Sequence, residues 1–267
     1  MVSITDILIY PVKGCGGVSV KRWPIEGRGL QFDRQWMLVD GHGKFVSQRE
    51  YPQMAFFRMH WTGAFFEVEF DGSGQRMPLP IPELGSAQIA VNIWDQEVMA
   101  AHLPGACEDY FNLHLGQGNR LVYMPDHAFR RVDEKYSPDA HYTRFTDGYP
   151  VLILGTASME HLNKKLAMPL PIDRFRPNLV LSTDVAHEED QWRNLDHTCF
   201  KLDLVKPCSR CVVTTIDQRT GTKGKEPLAT LASYRTFDKK VNFGMNAVVA
   251  SAEPLSFIEV GDTLHTK

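Results

Sequence analysis

Apolar residues recur along most of this chain in short runs with a period of two, the spacing of half-buried strands rather than helices. "SITDILIYPVK" carries Ile4, Ile7 and Ile9 in a β-rich run closed by Pro11 and by the glycines at 14, 16 and 17. "RQWMLVD" stops at a Gly41/Gly43 turn, and "FFEVEF" sets Phe66, Val68 and Phe70 on one face against Glu67 and Glu69 on the other. Further strand runs are predicted at "YPVLIL", "NLVLS", "FKLDLV", "CVVTTID" and "NAVVAS".

Helical spacing is confined to three places. In "PGACEDYFNLHLG", Pro104 suits an opening turn, Cys107, Tyr110, Phe111 and His114 share a face, and Gly116 is a stop. A second helix is expected to open at Thr156 as N-cap, with Met159, Leu162 and Leu166 on one stripe. "EPLATLASY" predicts a third, aligning Leu228, Leu231 and Tyr234. Many short strands with few helices predict a mostly β fold with helices (α+β), a barrel or sandwich. The polar stretch 125–148 reads as a seam or a functional loop, and a boundary is placed near 120.

Composition narrows the function classes. Hydrophobic residues are 43% and charged residues 23% of 267, ordinary for a globular chain. A net charge of −3 gives no global reason to bind nucleic acid or an anionic membrane, so an anion site must be a local cluster. No apolar run approaches the roughly 18 residues of a membrane span, and the start lacks the pattern of a secretory signal. Five cysteines are too few, and odd in number, for an extracellular disulfide framework, which implies a reducing, cytoplasmic setting.

Candidate chemistry centres on "KPCSRCVVTTID", a C-x-x-C at Cys208 and Cys211. A structural zinc would need four ligands, and only His197 and Cys199 could complete the set. In "CFKLDLV", however, Phe200, Leu202 and Leu204 claim the core face and turn Cys199 away. A redox dithiol wants a helix after the first thiol, whereas a β-branched run follows. Two buried, inert cysteines and a single metal-binding thiolate both remain. Arg210, next to Cys211, favours the thiolate. Lys13 in "YPVKGCGG", Arg34 in "FDRQWMLVD", and Arg174 and Arg176 in "DRFRPNLVL" lie at strand ends, where they suit an anion, although any one alone is more often an ordinary solvated or salt-bridged charge.

"YPVKGCGG", "FDRQWMLVD", "FRPNLVL", "CSRCVVTTIDQRTG", "KEPLATLASYR", "FGMNAVV" and the closing "VGD" stand in a characteristic order. In that order the chain resembles the MOSC-domain molybdenum enzymes, in the group of the mitochondrial amidoxime-reducing component and its bacterial relatives. The likeness runs from Tyr10 to Asp262. It implies an N-terminal MOSC-associated β-rich domain (1–120) packed on a MOSC β-barrel (121–267), with molybdopterin-bound molybdenum between them. It implies neither zinc nor an iron–sulfur cluster in this chain.

By motif position, Cys211 matches the protein thiolate that ligates molybdenum and serves as the catalytic residue; soft thiolate ligation fits that role. Lys13, Gly14 and Arg34 would hold the pterin and its phosphate, and Arg176 and Asn178 would line the same cleft. Ser209, Arg210 and Asn246 would contact the cofactor, as would Gly148 through its backbone. Some relatives carry threonine at the position of Gly148 and tyrosine at that of Asn246. Cys208 is expected to be buried and inert. The activity implied is reduction of N-hydroxylated compounds (amidoximes, hydroxylamines, N-hydroxylated base analogues). A ferredoxin domain of some relatives and the membrane anchor of the mitochondrial ones have no counterpart here, so electrons are expected from a separate ferredoxin, flavoprotein or cytochrome. The alternative is a cofactor-binding or sulfur-transfer module without reductase activity. No proton donor is assigned, although Asp147 and Asp217 lie nearby in motif terms.

Overall fold

The computed structural model describes residues 1–267. Seven strands hydrogen-bond into a closed ring in the order Val151–Gly155, Leu179–Leu181, Val2–Ile9, Thr263–Thr266, Asn194–Asp196, Phe200–Ser209 and Lys240–Ala252. The ring closes because Val151–Gly155 pairs in parallel with Leu179–Leu181 and antiparallel with Lys240–Ala252. Closure leaves no exposed edge to template aggregation. The strand Val2–Ile9 of the first 120 residues is thus built into the sheet of the second part, where Ile4, Ile7 and Ile9 are buried. A register shift between Ile4 and Asp6 lets Ile4 and Ile7 share the core despite their odd spacing.

Against the barrel lies an open four-stranded sheet in the order Trp36–Val39, Arg120–Tyr123, Gln96–His102 and Gln88–Ile93. A three-stranded meander, Phe57–Trp61, Phe66–Phe70 and Arg76–Pro78, packs beside it. Phe66 and Val68 point inward as the alternation predicts. The fold is mostly β with few helices, a closed seven-stranded barrel with a second β-rich part, in agreement with the sequence reading.

The first helix, Ala106–Leu115, buries Cys107, Tyr110 and Phe111 and stops at Gly116, which sits at φ +94°. His114 stacks flat on Phe70 with ring centroids 3.9 Å apart. The second helix, Thr156–Asn163, is capped differently from expectation. Gly155 is the N-cap and Thr156 is the first helical residue; the amide of Ala157 donates to Thr183 Oγ1 at 2.9 Å. The cap comes from a strand-end residue brought in by the fold, which local pattern cannot show. The third helix is short, Leu228–Ala232, with Leu231 buried.

One element departs from its predicted type. Val212–Thr215, within the expected strand "CVVTTID", is a single 3-10 turn. The Thr214 and Thr215 hydroxyls donate back to the carbonyls of Cys211 and Val212 at 2.9 and 2.8 Å. Such local side-chain bonds compete with sheet pairing and override β propensity. The preceding strand Phe200–Ser209 slips register against Lys240–Ala252 at three points, two of them between Leu204 and Ser209. Bulges of this kind re-aim side chains, and here they do so beside the two cysteines.

Candidate active site

A cleft of about 320 Å³ lies where the barrel meets the open sheet, and its wall draws residues from both halves of the chain. All ten positions singled out from the sequence line it: Lys13, Gly14, Arg34, Gly148, Arg176, Asn178, Ser209, Arg210, Cys211 and Asn246. The wall carries seven basic side chains, these four together with Arg49, Arg174 and Lys206, against a single acidic one, Asp147. In a chain of net charge −3 this is a strongly local concentration of positive charge.

Each cation is fixed by a different device. The Lys13 ammonium is buried; it donates to the carbonyl of Phe145 at 2.8 Å and to Asp147 Oδ1 at 2.6 Å. Burial pulls the Lys13 pKa down, and Asp147 opposes the fall. Arg34 Nη1 donates to Asn178 Oδ1 at 3.0 Å and pairs with Asp33, while Nη2 donates to the Arg176 carbonyl at 3.2 Å. Arg176 Nη1 donates to the carbonyl of Cys15 at 2.6 Å. Both guanidiniums lie 4.3 Å from the centroid of the buried Tyr10 ring, a cation–π arrangement that holds two like charges side by side. Arg34 and Arg176 have φ values of +50° and +54°. Left-handed backbone at residues this large is uncommon and is retained where the surroundings enforce it.

Asn178 is 1% exposed, and both ends of its amide are used inside the protein. Its oxygen accepts from Arg34 and from the amide of Leu152 at 3.1 Å; its nitrogen donates to the Leu8 carbonyl at 3.2 Å. It therefore acts on the cleft through Arg34. Gln48 does the same for Gly14. Its amide nitrogen donates to the Gly14 carbonyl at 2.6 Å, and it pairs with Gln218 of "TTIDQRTG" at 3.1 Å. That pair ties the lysine loop of the first half to the cysteine loop of the second.

The two thiols differ, though not as the sequence suggests. Cys208 is half-buried and lines the cleft with Cys211, where full burial was expected. The bulged strand end turns it inward. Burial pushes the Cys208 thiol up, with Arg210 opposing, so it stays protonated. Nor is Arg210 the cation facing Cys211. Its guanidinium turns back to the carbonyls of Phe243 and Phe175, at 2.8 and 3.0 Å. The partner of the Cys211 sulfur is Arg49, whose Nη2 lies 3.6 Å from it. Arg49, in "FVSQREYP", belongs to no motif and its neighbours carry no signal for the site; only the fold brings it to Cys211. Cys199 and His197 stand at the far end of strand Phe200–Ser209, roughly 30 Å from Cys208 at ~3.3 Å per residue, and cannot complete a four-ligand set with the C-x-x-C.

Neither carboxylate near the motifs is a neutral-pH acid. Partial enclosure works to raise Asp147, but Lys13, with Arg34 and Arg49, carries it down to about 2. Asp217 is also held below the usual range. Desolvation opposes this, while the amides of Arg219 and Thr220 (both 2.9 Å) and the Arg174 guanidinium favour the anion.

Comparison with known proteins agrees with this architecture. Residues 1–118 match the MOSC N-terminal beta barrel domain and residues 140–265 the MOSC domain. The mitochondrial amidoxime reducing component 2 of Rattus norvegicus is 31% identical over 98% of this chain and 82% of its own length. The mitochondrial amidoxime-reducing component 1 of Homo sapiens is 29% identical with the same coverage. The molybdenum cofactor sulfurase of Oryza sativa is 30% identical over 91% of this chain, which spans only 32% of that much longer protein. No helix of the chain is long and apolar enough to cross a membrane. The chain belongs to the MOSC-domain family that includes the mitochondrial amidoxime-reducing components.

Proposed function

We propose that this protein is a molybdenum-cofactor-dependent reductase of N-hydroxylated compounds, among them amidoximes, hydroxylamines and N-hydroxylated base analogues. The observation that carries the reading is the Cys211 thiol set in a cleft walled by seven basic side chains and one acidic one. The residues present suit the cofactor. A soft sulfur donor is available for molybdenum, and the cations suit an anionic pterin phosphate. One cleft-lining arginine also keeps an uncommitted donor, since Arg210 Nη2 is buried without a hydrogen-bond partner.

When bound, the molybdenum cofactor supplies two-electron chemistry: two electrons from a separate protein donor and two protons cleave the N–O bond, leaving the reduced nitrogen compound and one water. The chain's own residues bind and orient. Lys13, Arg34 and Arg176 would neutralise the phosphate end, beside the backbone of Gly14. Gly148, Ser209, Arg210 and Asn246 line the remaining wall. Asn178 keeps Arg34 in place, and Cys211 ligates the metal. Asp147 and Asp217, held ionised, keep Lys13 and Arg174 oriented and have no proton to give at neutral pH.

A second reading, a cofactor-binding or sulfur-transfer module without reductase activity, is favoured by the similarity to the cofactor sulfurase. One experiment separates the two. Protein made in a molybdenum-replete host is analysed for metal and assayed for benzamidoxime reduction with an artificial electron donor. About one molybdenum per chain with benzamidine formed, both lost in Cys211→Ser, is expected. Molybdenum without N–O cleavage would favour the carrier, and a molybdenum-free protein would falsify both readings.

A further inference from the structure

The hairpin between strands Gln88–Ile93 and Gln96–His102 turns on two residues, Trp94 and Asp95, because Ile93 and Gln96 are directly paired. Such turns favour glycine, asparagine or aspartate, which tolerate a positive φ. Here the position holds tryptophan at φ +58°. A bulky residue in left-handed backbone is costly, and outliers of this kind cluster at ligand clamps. Trp94 is also 46% exposed, and it lines the cleft. Trp23 and Trp36, by contrast, are 4% and 2% exposed and belong to the core.

The ring is held in place. Phe45 packs edge-on against it with centroids 4.9 Å apart, and the Arg49 guanidinium lies over it at 4.6 Å. Arg49 makes no ion pair with any carboxylate, and its Nη2 reaches Cys211 Sγ at 3.6 Å. A flat aromatic surface therefore leads directly, through one fixed cation, to the candidate metal thiolate.

We propose that Trp94 is the specificity-determining residue of this cleft, stacking flat aromatic rings, with Phe45 and Arg49 as its positioning residues. The ring of an aryl amidoxime or an N-hydroxylated base lies against Trp94, and its polar N–OH end reaches towards Arg49 and Cys211. Aliphatic N-hydroxylated molecules of the same head group gain nothing from this wall. The inference rests on the reductase reading for the nature of the head group.

The test uses the cofactor-loaded protein in its oxidised state without an electron donor, so that the ligand is not consumed. Benzamidoxime and acetamidoxime share a head group and differ by the ring. Calorimetric titration should show the aromatic ligand bound more tightly, with Trp94→Ala losing roughly tenfold for benzamidoxime and far less for acetamidoxime. Trp94→Phe should recover most of the difference. An equal loss for both ligands, an unchanged preference in Trp94→Ala, or no preference in the native protein overturns the proposal. Binding with the expected pattern but no N–O reduction when electrons are supplied would leave Trp94 as assigned and reject the reductase reading instead.

Discussion

Asn178 and Arg34, 144 positions apart in sequence, meet at 3.0 Å in the cleft wall, the asparagine oxygen accepting from the guanidinium. The same side chain satisfies the Leu152 amide and the Leu8 carbonyl, so one residue joins two barrel strands to a cleft-lining arginine. Asn178→Ala would strand these buried groups. A loss of roughly 2–4 kcal/mol in urea denaturation is expected, since each unsatisfied buried group costs about 1–3 kcal/mol. The protein should also retain its molybdenum less well on dialysis. An unchanged stability would show that the amide is not the junction described here.

Cys208 and Cys211 both face the cleft, but only Cys211 has a charged donor at its sulfur. Cys208→Ser should keep molybdenum and most of its turnover, whereas Cys211→Ser should lose both, with each folding within about 1 kcal/mol of the native protein. Metal analysis and denaturant curves of the two variants check this. Equal metal loss in both would point to a shared role for the pair.

Gly244 lies at φ +74° in the strand that closes the barrel, and a Cβ there would meet the Ile153 carbonyl at 2.6 Å and Arg210 Nη2 at 3.4 Å. Backbone cannot yield as a flexible side chain can. Gly244→Ala should therefore destabilise by more than about 1 kcal/mol and shift Arg210, whereas Gly148→Ala, with open space around its Cβ, should be much milder. Thermal unfolding of the two variants compares them directly.

His187 has both ring nitrogens buried without partners, and burial, with Arg235 and His161 nearby, holds its pKa at about 4 against 6.5 unperturbed. The unfolded chain takes up the proton first, so this contribution is complete above pH 6.5 and is lost as pH falls towards 4. The expected loss is on the order of 2–3 kcal/mol. His187→Phe should flatten that part of the stability–pH curve, and an unaltered curve would exclude His187 as its source.

Much of the fold was legible because the signals are local. The alternation in "FFEVEF", the helical face of Cys107, Tyr110 and Phe111, and the Gly116 stop each depend on residues within a turn or two of one another. The ten cleft positions were legible for another reason: they fall in short motifs whose order resembles a known family, and the barrel gathers them on one wall.

Contacts across the chain were not legible. By itself the sequence determined that strands dominate, where they run, and which short stretches carry thiols and arginines, since periodicity and side-chain chemistry are written residue by residue. Only the tertiary structure decided that strand Val2–Ile9 closes into the C-terminal barrel, that bulges turn Cys208 into the cleft, and that threonine hydroxyls bend "VVTT" into a turn. It also decided that Arg49, 162 positions away, stands at the Cys211 sulfur in place of the adjacent Arg210. Neighbours in sequence share a backbone but not a direction; barrel closure and register shifts set which side chains converge.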